Sequence, residues 1–216
     1  MTTNTILITA GSIANLTDAR YFAAREVHFL GFCFDESSEN YVQAAVVKAI
    51  KEWIEGPKIV GEFGLQSTEE ILFAVENIGL DAVQLSMFSP ADKSILREKT
   101  IVIQEIVAEK TTRAGDFWQK IEQLGSESDY LYLDFEKNNI TWNDLLRNPE
   151  ISIELLQRAC QKYKTFMSLP FLPQQLNTIV NVLQPAGIAV KGGEEEQVGV
   201  KSFDNLDEIF DLIETW

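Results

Sequence analysis

Carboxylates follow several of the short apolar runs of this sequence, at the points where those runs end. Asp134 comes directly after Tyr130–Leu133, and Glu62 and Glu105 end two other runs in the same way. An ionisable group beside an apolar strand is costly unless it is paired or used. Grouped carboxylates can act as general acids and bases, because burial and mutual repulsion raise a pKa toward neutrality. The pattern predicts acid–base chemistry, with Asp134 as the catalytic candidate.

A simpler interpretation competes for the other carboxylates. In a protein this acidic, Glu62 and Glu105 are expected to be solvated rim charges, and we favour that interpretation for each of them. His28 is the only histidine, and its place before a predicted strand indicates a structural role. Because the chain has neither a second histidine nor an EF-hand or HExxH motif, we predict no metal and no cofactor.

One short motif resembles a phosphate-binding loop. Lys191-Gly192-Gly193 follows the last predicted strand, where glycines let backbone N–H groups approach an anion and a lysine adds positive charge. Glu194 to Glu196 come next and would repel a phosphate if they turned inward, although a solvated loop is the simpler interpretation. Lys191, Gly192 and Gly193 are therefore the phosphate-binding candidates, and weak binding of phosphate esters is expected.

Short β-rich runs alternate with segments of helical period along the whole chain, which is typical of parallel βαβ units. About eight such units of roughly 27 residues each favour one (β/α)8 TIM barrel domain over residues 1–216, since an open sheet usually has fewer units. The predicted strands are Thr5–Thr9, Phe29–Phe34, Lys58–Glu62, Ala82–Leu85, Thr100–Glu105, Tyr130–Asp134, Thr165–Leu169 and Gly187–Val190. The predicted helices are Leu16–Ala24, Tyr41–Ile54, one opening at Ser67, one at Ser89-Pro90, Phe117–Leu124, Ile151–Lys162, Leu176–Leu183 and Leu206–Ile213.

In such a barrel the functional residues lie at the carboxyl ends of the strands. That rule gathers the polar strand ends at one mouth and places His28 at the other end. Phe135–Pro149 is predicted to be a long irregular loop at the mouth. The residues expected there are Thr9, Ala10, Gly11, Asp35, Glu62, Gln84, Ser86, Gln104, Glu105, Asp134, Glu136, Ser168, Lys191, Gly192 and Gly193.

Composition narrows the classes of partner. Lys and Arg total 18 against 33 Asp and Glu, a formal net charge of -15, and such a field repels nucleic acid and anionic lipid. We therefore expect a small-molecule ligand at the barrel mouth, and neither nucleic acid nor a membrane as partner. The chain has two isolated cysteines and no apolar run of membrane-spanning length, which together indicate a cytoplasmic protein. We expect it to be either a monomer or a homodimer.

Six short fragments follow one another in order along nearly the whole chain: Asn15-Leu16-Thr17-Asp18-Ala19, Leu30-Gly31-Phe32-Cys33-Phe34, Tyr41-Val42, Leu80-Asp81-Ala82-Val83-Gln84-Leu85, Leu133-Asp134 and Gly199-Val200-Lys201. In this order and spacing they resemble the phosphoribosylanthranilate isomerases of tryptophan biosynthesis. The resemblance implies a (β/α)8 barrel and an Amadori rearrangement of an N-linked ribose phosphate into a 1-deoxyribulose phosphate. That family uses an aspartate as acid and a cysteine as base, and Asp134 matches the aspartate.

The departures from the family pattern fall at the catalytic and substrate-binding positions. The family's Lys-x-Cys-Gly reads Ile8-Thr9-Ala10-Gly11, which assigns Ala10 to the base position, and Asn40 replaces an arginine. The phosphate-binding Ala-Gly-Gly reads Ser168-Leu169-Pro170, which removes glycines and one N–H donor. We expect a divergent member whose original activity is lost or replaced. The alternatives are an active isomerase with another base, such as Glu105, and a non-catalytic binding or scaffold barrel.

Overall fold

Eight parallel strands close into one barrel in the computed structural model, which describes residues 6–191, 195–197, 200–201 and 204–214. Each strand pairs with the next in chain order, and β8 pairs with β1 to complete the circle. The strands are β1 (Leu7–Gly11), β2 (Phe29–Cys33), β3 (Lys58–Phe63), β4 (Ala82–Leu85), β5 (Ile101–Val107), β6 (Tyr130–Asp134), β7 (Thr165–Ser168) and β8 (Gly187–Lys191). The predicted (β/α)8 barrel is confirmed.

Helices follow the strands and cover the outside of the barrel. They are α1 (Leu16–Ala24), α2 (Ala44–Lys51), α3 (Thr68–Ala74), α4 (Lys93–Arg97), α5 (Ala114–Ser126), α6 (Trp142–Leu145), α7 (Ile153–Lys162), α8 (Leu176–Leu183) and α9 (Asp204–Ile213). A π-helical turn, Val75–Gly79, extends α3, and a small hairpin pairs β9 (Glu195–Gln197) with β10 (Val200–Lys201). No helix in these ranges is long and apolar enough to cross a membrane.

Local capping determines where two of the helices begin. The capping box predicted at Ser67 is present: the Ser67 hydroxyl accepts from the Glu70 backbone N–H, and the Glu70 carboxylate accepts from the Ser67 N–H at 2.8 Å. The predicted start at Ser89-Pro90 is wrong, because α4 begins after Asp92. The Asp92 carboxylate accepts N–H groups from Ser94 and Ile95, so it caps two free donors of the first turn.

Alternation along the strands divides the buried side chains between two layers. One set fills the barrel interior: Phe29, Val60, Ala82, Ile103, Tyr132, Phe166 and Ala189. The larger set lies between the strands and the helices, and it includes Ile8, Ala10, Leu30 and Leu133. Residues one position apart on a strand therefore face different layers, which decides which strand-end side chains reach the mouth.

The segment Phe135–Pro149 is more ordered than predicted. It holds a 3₁₀ turn at Glu136–Asn138 and the short helix α6, which opens with a capping box between Thr141 and Asp144. Its apolar side chains Phe135, Ile140, Trp142 and Leu145 are buried in the outer layer. The expectation of an irregular loop is wrong because these apolar residues anchor the segment to the barrel.

Candidate functional site

The carboxyl ends of the strands surround an open cavity of about 730 Å³, a size suited to a small molecule. Most of the side chains predicted at the mouth line it. These are Gly11, Asp35, Glu62, Gln84, Ser86, Glu105, Asp134 and Lys191, together with Asn40 at the position of the family's arginine. Gly192 and Gly193, the other phosphate-binding candidates, lie outside the described residues, as does Glu194.

The expectation that Ala10 lies at the mouth, where a catalytic base would act, is wrong. Ala10 is fully buried in the layer between the strands and the helices, so its side chain faces away from the cavity. Leu7 packs in the barrel interior, and because alternate residues of a strand share a face, Thr9 and Gly11 also point inward. The β1 residue that lines the mouth is Gly11, which offers no proton acceptor either.

This orientation predicts different reactivity for cysteines placed at the two positions. We expect the thiol of Gly11→Cys to react with a maleimide from the cavity. The thiol of Ala10→Cys should react at least roughly 100-fold more slowly, because it needs a local opening that costs about 3 kcal/mol. Intact mass of each variant, compared with the parent chain that carries Cys33 and Cys160, measures the added label. Equal labelling of the two native variants would contradict the strand orientation, and equal labelling after denaturation is the control.

Glu62 reaches from β3 across β2 to the end of β1. Its Oε1 accepts the backbone N–H of Ser12 at 2.9 Å, and the Ser12 hydroxyl donates to Oε2 at 3.3 Å. Two glycines make room for it: a Cβ on Gly11 would stand 3.1 Å from Oε1, and a Cβ on Gly31 would overlap the same oxygen. The carboxylate therefore occupies space that side chains on β1 and β2 would otherwise fill.

Burial raises the pKa of the Glu62 carboxyl above its usual range, and the charge of Glu105 adds to the rise while the Ser12 N–H opposes it. Burial likewise raises the pKa of Glu105, against the opposing effect of the Lys137 ammonium. Only 6% of Glu105 is exposed. The expectation that Glu62 and Glu105 are solvated rim charges is wrong, because both carboxyls are held inside the mouth.

Asp134 and Glu105 share one cation. The Lys137 ammonium contacts Glu105 Oε1 and lies 4.0 Å from Asp134 Oδ2. The Lys137 backbone N–H also donates to Asp134 Oδ1 at 2.9 Å. The Asp134 side chain is only 2% exposed, whereas that of Lys137 is 51% exposed. Lys137 was not predicted from the sequence, although its place three residues after the end of β6 was the available signal.

A second ion pair lies beside the ends of β7 and β8. Lys191 Nζ is 3.4 Å from Glu136 Oε2, and the buried Ser168 hydroxyl donates to the same oxygen at 3.1 Å. The Glu136 carboxylate therefore occupies the place beside Lys191 where the sequence predicted the phosphate group of a bound ligand. The positive charge of Lys191 is compensated from within the protein.

Cys33 at the end of β2 also lines the cavity and was not predicted there. Burial raises the pKa of its thiol, with the charges of Glu62 and Asp35 adding to the effect. Because the thiolate is the reactive form, this environment makes Cys33 a poor nucleophile and a poor base. Cys33 and Cys160 are both free thiols.

Two other predicted residues serve the scaffold. Gln104 turns away from the mouth, and its Nε2 donates to the carbonyls of Leu85 and Ser86 at 3.1 Å, so its place among the mouth residues is wrong. His28 lies at the opposite end, as predicted, where its Nδ1 accepts the Ile8 N–H at 3.1 Å. Among the described residues no three side chains of His, Cys, Asp or Glu form a group that could hold a metal ion.

The closed barrel and the polar side chains at the carboxyl ends of its strands define the class of (β/α)8 proteins with a functional mouth. No family model matches the sequence. The N-(5'-phosphoribosyl)anthranilate isomerase of Maridesulfovibrio salexigens is 24% identical over 210 residues, which is 96% of this chain and 98% of that protein. The similarity to that isomerase therefore extends over nearly the full length of both proteins.

Solved structures of the same enzyme share the fold. Phosphoribosylanthranilate isomerase from Thermotoga maritima superposes with a TM-score of 0.76 at 20% identity, covering 98% of this chain and all of that one. A phosphoribosylanthranilate isomerase in complex with reduced 1-(o-carboxyphenylamino)-1-deoxyribulose 5-phosphate gives a TM-score of 0.75 at 20% identity over 98% of this chain and 100% of that one. At this identity the structural likeness establishes the barrel.

Proposed function

We propose that this barrel has lost the rearrangement of phosphoribosylanthranilate as a useful activity, and that its mouth serves another small-molecule ligand. The observation that carries the proposal is the Glu136 carboxylate, which accepts from Ser168 and pairs with Lys191. A phosphate ester needs uncompensated donors and positive charge. Here an internal anion already uses both groups.

The balance of charge at the mouth supports the same proposal. Asp35, Glu62, Glu105 and Asp134 line the cavity. Within the described part of the chain its cations are Lys137 and Lys191, each already in contact with a carboxylate. Phosphoribosylanthranilate carries a phosphate and an aryl carboxylate, so this lining repels both ends of it. A neutral or cationic ligand derived from a sugar fits the same lining without that penalty.

Asp134 remains our candidate catalytic residue, and its role is a proposal drawn from the family resemblance. It is buried at the end of β6 and faces the cavity beside the Lys137 ammonium. This pair can deliver or receive a proton at a ligand oxygen or nitrogen. Lys191 can make its proposed contact with a ligand anion only if the Glu136 carboxylate moves away from the Lys191 ammonium.

Growth of a bacterium that lacks its own phosphoribosylanthranilate isomerase tests the proposal. We expect this chain to give no growth without tryptophan, whereas the Maridesulfovibrio salexigens isomerase expressed at the same level should restore growth. A purified-protein assay with phosphoribosylanthranilate should show a rate far below that of the control enzyme. Rescue at the control's growth rate would refute the proposal and establish an active isomerase.

An active isomerase with a different base is the second candidate function, and one observation favours it. Glu62 places a carboxylate beside Gly11, at the end of β1. Glu105, the alternative considered from the sequence, is engaged by Lys137 instead. A barrel that only binds a ligand would show neither rescue nor any proton transfer.

A further inference from the structure

We propose that Glu62 is the general base of this mouth, and that a carboxylate carried by β3 supplies the proton acceptor that β1 lacks. The proposal deepens the proposed function, because it concerns the same cavity and takes from it the class of ligand, a small carbonyl or imine derived from a sugar. It assigns the role to a residue outside β1 on the basis of its position and contacts.

The first support is the path of the side chain. Glu62 leaves β3, crosses Gly31 of β2 and ends against Gly11 of β1. Any side chain at Gly31 would collide with the carboxylate, and a side chain at Gly11 would press on it. Successive strands thus supply a glycine, a glycine and a glutamate, which together open a path across the mouth for one carboxylate.

The second support is the way in which the carboxylate is held. Ser12 has a φ of 56°, a left-handed conformation uncommon for a residue other than glycine. This backbone directs the Ser12 N–H at Oε1, while Oε2 receives only the longer contact from a hydroxyl that can rotate. One oxygen is fixed, and the other can accept a proton without breaking a backbone hydrogen bond.

The third support is that Glu62 forms no ion pair in the described part of the chain. Glu105, Asp134 and Glu136 each lie within 4.0 Å of a lysine ammonium, so each already has a cationic partner inside the protein. Cys33, the thiol at the same end of the cavity, is mainly protonated for the reason given above. Asp35 also lines the mouth and forms no ion pair among the described residues, but it accepts from the hydroxyl and the backbone N–H of Ser37, which lower its pKa. Glu62 is therefore the mouth carboxylate best suited to accept a proton from carbon.

The reaction class follows from these positions. Glu62 takes a proton from a carbon next to a C=N or C=O bond, and the electron pair of that C–H bond forms a C=C bond. The electrons of the C=N or C=O π bond move to nitrogen or oxygen, which receives a proton from the Asp134–Lys137 pair. In an α-hydroxy imine or carbonyl, the hydroxyl on the carbon that lost its proton then returns its own proton to the Asp134–Lys137 pair and becomes a C=O group, while Glu62 returns its proton to the neighbouring carbon. Both protein groups end as they began, and the isomerisation needs no oxidant or reductant.

Deuterium exchange tests the proton transfer without a need for full turnover. The probe is a phosphate-free Amadori ketose, 1-phenylamino-1-deoxyribulose, whose C1 protons can be followed by NMR in D₂O. We expect the protein to accelerate exchange over buffer and the rate to rise with pH as Glu62 ionises. Glu62→Gln keeps the acceptor for Ser12 and should lower the protein-dependent rate at least roughly 100-fold, as loss of a general base does.

Two further variants separate a base from a merely structural group. Glu62→Asp keeps a carboxylate that is one methylene short, so it should retain a reduced but pH-dependent rate, whereas Glu62→Gln should lose the pH dependence. Glu76→Gln, an exposed glutamate after α3, should exchange like the parent protein. Thermal melting checks that each variant folds.

The proposal is overturned if the parent protein gives no exchange above buffer, or if folded Glu62→Gln exchanges at the parent rate. Failure of the proposed function would look different, since it would appear as rescue of the tryptophan-requiring bacterium. Rescue that depends on Glu62 would contradict the lost activity and still support Glu62 as the base.

Discussion

Replacing Lys137 by methionine should lower the free energy of unfolding by about 1 to 3 kcal/mol at neutral pH. Lys137 is the cation that contacts Glu105 and approaches Asp134, whose side chains are 8% and 2% exposed. Removing the ammonium leaves two buried carboxylates without the cation that they share. The expected loss is below the usual cost of breaking a buried pair, because half of the Lys137 side chain is exposed and water screens it.

The loss of stability in Lys137→Met should depend on pH. Burial already raises the pKa of Glu105 in the folded protein, and loss of the Lys137 ammonium raises that pKa further. A raised folded pKa stabilises the protein below the unfolded value of about 4.3, and this contribution is lost as pH rises through the folded pKa. The deficit of Lys137→Met should therefore be largest at pH 7 and smaller at pH 5.

Urea unfolding at the two pH values measures the effect. Lys120→Met, which removes an exposed lysine on α5 that forms no ion pair among the described residues, should change stability by less than about 0.5 kcal/mol. Adding Glu105→Gln to Lys137→Met should restore part of the loss, since it removes one of the uncompensated charges. A deficit that is the same at pH 5 and pH 7 would show that Lys137 acts through packing.

The architecture was predictable because its signals are local. Each strand begins and ends within two residues of its predicted bounds, and the Ser67 capping box marks the start of α3. These signals come from short apolar runs and from hydrogen bonds between residues three apart. Asp92 shows the limit of the approach, since two capping candidates compete within four residues and the stronger acceptor determines the start of α4.

The direction of the strand-end side chains was harder to predict. Alternation turns neighbouring residues to opposite layers, so an error of one position exchanges the mouth for the outer core. The predicted mouth residues included both members of two neighbouring pairs, and the structure keeps Gly11 and Glu105 at the mouth while Ala10 and Gln104 turn away from it. Side-chain direction alternates with every residue, so strand bounds known only to within two residues do not show which of two neighbouring side chains faces the mouth.

The contacts within the site depend on several strands at once. Glu62 reaches β1 because glycines stand on β1 and β2, a condition that no single stretch of sequence displays. The charge of Lys191 is neutralised by Glu136, which comes from the loop after β6, and Ser168 of β7 donates a hydrogen bond to the same carboxylate. The position of Asp134 at the mouth was predictable because a carboxylate at the end of an apolar strand is itself a local signal.

Removing the Glu136 carboxylate should strengthen binding of phosphate esters. Glu136 pairs with Lys191 and accepts from Ser168, so the protein's own anion competes with a ligand phosphate for both groups. A phosphate dianion about 5 Å from one carboxylate is repelled by roughly 1.5 kcal/mol even at a dielectric constant of about 80. Glu136→Ala should therefore tighten binding of ribose 5-phosphate by roughly tenfold, which corresponds to that energy.

Calorimetry with ribose 5-phosphate in near-physiological salt measures the change, and three variants show its cause. Glu136→Gln can still accept from Ser168 but carries no charge, so it should give most of the gain if charge is the reason. Lys191→Ala combined with Glu136→Ala should abolish the gain, because the released ammonium is then missing. Weaker binding by Glu136→Ala would mean that Glu136 positions Lys191 for the phosphate, and that the family's anion site survives in this barrel.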